Sequence, residues 1–210
     1  MKEILAFGDS LTWGADPSTG LRHPPAFQWP HALEAELAGA ARVVADGLGG
    51  RTTCRDDHGG PACRNGAKAL PGALAAHMPL DLVIFLLGTN DLKAIHGGRA
   101  VSAQAGMRRL IEIVETFPFK PRSAKPKILI VAPPLCGEGS GGKPPAGGRE
   151  IAESRLLAPL YAELAATTGC GFFDAASLAD PSPADGVHLE AEATAALGRA
   201  LAGPVAALLD

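Results

Sequence analysis

Aromatic residues are scarce in this chain: two tryptophans, one tyrosine and seven phenylalanines among 210 residues. No basic segment interleaved with aromatics is present, and the net charge is −3. Together these remove nucleic-acid binding from the starting readings, because a polyanion partner is met by a positive surface with stacking platforms. Cysteine is also sparse. Cys54, Cys63, Cys136 and Cys170 include no C-x-x-C pair, so no metal cage is expected. Cys54 and Cys63 flank the loop CRDDHGGPAC and could bridge in an exported form, but free thiols are the expectation for a cytoplasmic protein. No stretch approaches the ~20 apolar residues that a bilayer crossing requires. The opening MKEILAFG breaks at Gly8, short of a signal-peptide core, so the expected setting is the cytoplasm, away from membranes.

What the chain does have is apolar sequence in short pieces. Hydrophobic residues make up 47% of it, enough for a sizeable core, and the length fits one domain over residues 1–210. Five short runs, EILAFG, ARVVAD, DLVIFLLG, KILIVAPP and GCGFFDA, read as strands buried on both faces. Between them lie stretches with helical spacing, as in Ala103, Met107, Leu110, Val114 and Phe117. Strand and helix alternate to the end, which predicts an α/β fold: a three-layer sandwich with a mostly parallel five-stranded sheet and helices on both faces. A last helix is expected from about Glu190, broken or bent at Gly203-Pro204. Two long connections, residues 46–65 and the Gly/Pro-rich 135–148, follow strands at the same end of the sheet. That is the end where open α/β sheets bind ligands.

The chemistry-bearing residues fall just past strand ends. In AFGDSLTWGAD, Ser10 is either a turn residue or a nucleophile. Gly49 and Gly50 in ADGLGGRTT make a turn or let backbone N–H groups approach a ligand. Asn90 in LLGTND is a loop residue or a source of two fixed N–H donors for a developing oxyanion. Asp185 and His188 in PADGVHL stand three residues apart, close enough for the acid to hold the imidazole by Nδ1–H. Of the other histidines, only His58 follows acids directly, Asp56 and Asp57, in a cluster read as a solvated loop rather than a metal site. Convergence on one sheet edge favours Ser10, His188 and Asp185 as nucleophile, base and orienter. Asp9 and Asp91 are expected to accept from backbone N–H groups or from the turn at residues 51–53, and Trp13 to wall a pocket or pack in the core.

The ordered blocks FGDSLTWG, GLGGRTT, GTND and DGVHL resemble the GDSL-type esterase/lipase family, also called SGNH hydrolases. The resemblance implies a flavodoxin-like strand order 2-1-3-4-5, Ser10 as nucleophile, His188 as base and Asp185 as its partner. It further implies an oxyanion hole of the Ser10 N–H, the Asn90 side chain and one glycine N–H. That glycine is taken as Gly50, which directly precedes RTT, with Gly49 open. No metal or organic cofactor is implied. FGDSLTWG, MPLDLVIFLLGTNDLKA and APP look most like bacterial arylesterases and acyltransferases of small esters. Two departures stand against that subgroup: Ala15 replaces a common second tryptophan after TWG, and the loop after APP is Gly/Pro-rich instead of long and aromatic. They imply a less hydrophobic pocket mouth.

The expected activity is therefore hydrolysis of short-acyl or aryl esters through an acyl-serine, with acyl transfer to alcohols as a side reaction. Carbohydrate O-acetylesterase, thioesterase or lysophospholipase activity is the alternative within the family. The rival of another class is a non-catalytic flavodoxin-like ligand-binding module, which GDSLTWG serves poorly for want of hydroxyls. GEGSGGKP at residues 137–144 misses the phosphate-loop pattern because Pro144 replaces the Mg²⁺-holding hydroxyl. EGSGG lacks the first glycine of a nucleophile elbow. The apolar composition is compatible with homo-oligomers without naming an interface.

Overall fold

The computed structural model describes residues 1–121 and 123–210. Five strands, β1 (Lys2–Gly8), β2 (Ala41–Gly47), β3 (Leu82–Leu86), β4 (Lys127–Ala132) and β5 (Gly171–Asp174), form one parallel sheet in the order β2-β1-β3-β4-β5. The expected five-stranded parallel α/β architecture is therefore present. Side-chain alternation sends the two sets of strand residues into two cores. Leu5, Phe7, Val83, Phe85 and Ile130 face one side, where they meet α3 (Gly66–His77), α4 (Ala100–Thr116) and α5 (Ile151–Thr168). Phe7 and Phe85 pack edge to face there, with ring centres 6.1 Å apart. Ile4, Ala6, Leu82, Ile84, Leu129 and Val131 face the other side, against α2 (Trp29–Glu36) and α6 (Ala191–Leu209).

Among the described residues, three prolines lie beyond the first turn of a helix: Pro71 in α3, Pro159 in α5 and Pro204 in α6. The break expected at Gly203-Pro204 does not occur, and α6 continues to Leu209. A proline removes one backbone bond, but Val205 is fully buried and Leu208 and Leu209 pack on the same core, so tertiary contacts hold the last turns. All four cysteines are free. Among the described residues, no helix is long and apolar enough to cross a membrane.

β1 is followed by the single-turn helix α1 (Ser10–Trp13), and the chain then moves outward to β2 before crossing back to β3 on the other side of β1. The carboxyl ends of β1 and β3 therefore flank the point where the winding reverses, which leaves a crevice in an open α/β sheet. The strands end earlier than the apolar runs suggest, β3 at Leu86 and β4 at Ala132. The residues beyond them are buried loops that turn into this crevice.

Candidate active site

Ser10 opens α1 directly beyond β1. Asp9 caps the turn, its carboxylate accepting the Leu11 N–H at 2.9 Å. Such close seating requires glycine on the neighbouring strand: a Cβ on Gly47 would lie 2.2 Å from the Trp13 nitrogen. The serine is thus fixed by backbone packing, not by its own side chain.

Residues 182–188 form a turn that supplies the imidazole. One Asp185 oxygen accepts the Val187 and His188 N–H groups, at 2.9 and 3.0 Å, and the other meets His188 Nδ1 at 2.5 Å. Burial pushes the Asp185 carboxyl up, but these bonds outweigh it and hold the group below the ordinary carboxylate range. With Nδ1–H donated to Asp185, His188 Nε2 accepts from the Ser10 hydroxyl at 2.8 Å. The three residues singled out in the sequence therefore form one hydrogen-bonded chain across 178 positions.

Asn90, two residues beyond Gly88, is buried on the other side of the serine. Its Nδ2 donates to Asp9 at 3.0 Å and to the Arg51 carbonyl at 3.1 Å, while its Oδ1 accepts from Arg149 at 2.9 Å. Arg149 also donates through Nε to the Thr89 carbonyl at 2.7 Å and through a terminal nitrogen to the Ala146 carbonyl. The sequence reading did not find this arginine, because it lies 59 positions from Asn90 and belongs to no recognisable block. Burial raises the Asp9 carboxyl to about 6, opposed by the Leu11 N–H and by the His188 and Arg149 charges. Asp91 carries out the role expected of it: its carboxylate takes the Thr53 N–H and hydroxyl, at 3.0 and 2.6 Å, and pins the loop after β2. Burial pushes that carboxyl up as well.

The turn at residues 48–51 is closed by an Arg51 N–H to Leu48 carbonyl bond of 3.0 Å, with Gly50 at φ +82°. A positive φ at the third position is the type II pattern and calls for glycine. A Cβ on Gly50 would also lie 2.7 Å from Arg64 Nε, whereas one on Gly49 would meet open space. The stringent glycine is thus Gly50, although both glycines line the cavity.

That cavity, about 470 Å³, is lined by Ser10, His188 and Asn90 together with Trp13, Arg64 and Lys93. Trp13 stands at its wall with the Arg22 guanidinium over its ring, while the core tryptophan is Trp29, bonded to the Thr12 hydroxyl. The Gly/Pro-rich loop is braced against the histidine turn: Gly137 N–H donates to the Gly186 carbonyl, Ala146 N–H to the Asp185 carbonyl and Ser140 Oγ to the Pro183 carbonyl. The cluster at residues 56–58 departs from the expected solvated loop. Asp56 and His58 are exposed, but the Asp57 side chain is only 8% exposed and meets Arg64, Lys93 and His96.

Comparison with known proteins agrees with this geometry. The family described as GDSL-like Lipase/Acylhydrolase matches residues 6–196. No curated protein matches the chain. A structure from Agrobacterium tumefaciens str. C58, presented as a candidate arylesterase, is 68% identical over all of both chains with a TM-score of 0.97. A carbohydrate acetylesterase family member from Sinorhizobium meliloti is 45% identical, over 100% of this chain and 99% of that one, with a TM-score of 0.95. The aryl esterase of M. smegmatis is 38% identical over all of both chains with a TM-score of 0.90. A match over nearly the whole chain, on a fold that brings serine, histidine and aspartate into one hydrogen-bonded chain, leaves one assignment: the chain belongs to the GDSL-like lipase/acylhydrolase family and is a serine esterase.

Proposed function

We propose that the protein hydrolyses short-acyl and aryl carboxylic esters through an acyl-enzyme on Ser10. Ser10 Oγ attacks the ester carbonyl carbon as His188 Nε2 takes its proton, and Asp185 holds the imidazole in the tautomer that can do so. The carbonyl electron pair moves to oxygen, where the Ser10 and Gly50 N–H groups and the Asn90 carboxamide stabilise it. In this reading the oxyanion shares or replaces the Arg51 carbonyl as an acceptor of Asn90 Nδ2. Collapse of the tetrahedral species breaks the C–O bond, and the leaving alcohol takes the proton from His188. Water, activated by the same imidazole, releases the acid. An alcohol in that place gives acyl transfer. Trp13 flanks the ester in the cavity. The chemistry needs no metal or organic cofactor.

The observation that carries this reading is the 2.8 Å contact between Ser10 Oγ and His188 Nε2 beside a cavity that also holds Asn90. The test is intact-mass analysis after exposure to a serine-directed fluorophosphonate, beside Ser10→Ala and His188→Ala. One adduct on Ser10, absent from the first variant and greatly slowed in the second, is expected. A folded native chain that takes no adduct from probes of several sizes would sink the proposal and favour a non-catalytic binding module.

A second reading, deacetylation of carbohydrates, draws on a cavity lining in which, among the described residues, Arg64, Lys93 and Asn90 stand beside Trp13 and no tyrosine or phenylalanine takes part. One relative from Sinorhizobium meliloti is described as a carbohydrate acetylesterase and another as a carbohydrate acetylesterase family member. Rates on phenyl acetate against a peracetylated sugar separate the two readings.

A further inference from the structure

The wall of the cavity beside Asn90 is rich in positive charge. Arg64, Lys93 and Arg149 all line it. Arg64 and Lys93 share one carboxylate, Asp57, at 3.2 and 3.7 Å, and His96 contacts the same group at 3.4 Å. Arg149 is 6% exposed, and its hydrogen bonds go to the Thr89 and Ala146 carbonyls and the Asn90 carboxamide, all of them neutral acceptors. The two carboxylates lining the cavity are engaged elsewhere: Asp185 by His188 and two backbone N–H groups, Asp16 by the Ser18 N–H and the Thr19 hydroxyl. Buried or half-buried cations are ordinarily matched by counter-charge. Here three cations line the space where substrate must lie; Asp57 contacts two of them, and the nearby Asp9 carboxylate already accepts from Asn90 and the Leu11 N–H.

We infer that the ester this enzyme is built for carries an anionic group, a carboxylate or a phosphate, which Lys93 and Arg64 hold while Ser10 attacks the carbonyl. The inference rests on the esterase reading of the same cavity and adds the charge of the substrate. Both cations reach the wall from structure already fixed for other reasons. Lys93 follows Asn90 by three residues, its N–H bonded to the Asn90 carbonyl at 3.2 Å, and Arg64 lies over Gly50. Asp57 orders both side chains in advance and so lowers the entropy lost when an anion binds. Burial pushes the Lys93 ammonium down, and Arg149 and Arg64 push the same way against Asp57 and Asp9.

The test uses two pairs of esters that differ only in charge. In one pair the anion is on the acyl side, monophenyl adipate against phenyl methyl adipate. In the other it is on the leaving group, 4-acetoxyphenylacetate against its methyl ester. The readout is the ratio of kcat/KM, anionic over neutral, at low ionic strength. In at least one pair the anionic member is expected to win by about tenfold, the scale of one charge-assisted hydrogen bond. That ratio should fall toward one in Lys93→Met and Arg64→Gln, invert in Lys93→Glu, and shrink as salt rises from about 0.01 M to about 0.5 M. Circular dichroism confirms that each variant is folded, and the three substitutions reach the same conclusion independently. Turnover of the neutral esters with no anionic preference in either pair, or a preference that ignores all three substitutions, overturns the inference and leaves the esterase reading standing. No turnover of any of the four, with no fluorophosphonate adduct on Ser10, removes both.

Discussion

The two sides of Ser10 are built in different ways. On the proposed acid–base side, Asp185 and His188 stand three positions apart in one turn, and the turn carries its own hydrogen bonds: the same aspartate that meets Nδ1 accepts two of the turn's backbone N–H groups. On the proposed oxyanion side the side-chain partners of Asn90 are not local. Asn90 is held by Asp9, by the Arg51 carbonyl and by Arg149, three groups from three distant segments. A local turn folds as a unit and tolerates change elsewhere, whereas an assembled site inherits every displacement of its parts. The acid–base side should therefore fail all at once when its own residues change, and the oxyanion side by degrees.

Substitution within the acid–base side has the largest expected effect. Ser10→Ala or His188→Ala should lower kcat about 10⁴-fold or more, the scale seen when a nucleophile or its base is lost. Asp185→Asn should come close to this, because a carboxamide no longer selects the Nδ1–H tautomer. Single-turnover kinetics on phenyl acetate check these values. An Asp185→Asn protein with near-native turnover would show that the turn's backbone alone orients the imidazole.

Loss of a donor on the oxyanion side should cost less. Asn90→Ala is expected to reduce kcat about 10²- to 10³-fold with KM little changed, since a donor aimed at the oxyanion acts mainly in the transition state. Arg149 touches Asn90 and is not assigned to the reacting atoms, so it acts as a positioning residue. Arg149→Ala should lower kcat by about 10- to 100-fold, as removal of an orienting outer partner does elsewhere. Arg149→Lys should recover only part, because one ammonium cannot reach Thr89, Ala146 and Asn90 together as the planar fork does. Activity lost only in proportion to folded protein, measured by thermal unfolding, would mean that the arginine merely anchors its loop.

The same contrast explains what could be read from the sequence. The sheet was legible because its strands are short continuous apolar runs buried on both faces, and the strand order came with the resemblance carried by four ordered blocks. Asp185 and His188 were legible because their relation is three residues long. Arg149 was not. It sits after a Gly/Pro-rich stretch that reads as a loose connection, yet Gly137 and Ala146 are bonded to the histidine turn. Asp57 was misread for a similar reason: its loop is polar in sequence, but its cations arrive from Arg64, Lys93 and His96 after folding. Pro204 misled in the opposite direction, since local propensity yields to the burial of Val205. Each miss is a case in which long-range contacts decide what local pattern leaves undetermined.

The smallest expected effect concerns Asp9, which joins the two sides by capping the helix of Ser10 and accepting from Asn90. Its carboxyl is raised by burial from 3.8 to about 6. A raised acid favours the protonated form in the folded state, so its contribution to stability falls as pH rises from about 4 to about 6, and the penalty is fully present above that window. The proposed catalysis runs the other way, because only the ionised carboxylate gives Asn90 a charge-assisted anchor. Asp9 must therefore lose a proton before Asn90 is fully anchored, so log kcat should rise with pH through a window that ends at about 6. Asp9→Asn should remove that rise together with the loss of stability between about pH 4 and about pH 6. A rate profile that the substitution leaves unchanged would mean that Asn90 keeps its aim whether or not Asp9 is charged, and the proposed oxyanion side would then owe its alignment to Arg149 and the Arg51 carbonyl alone.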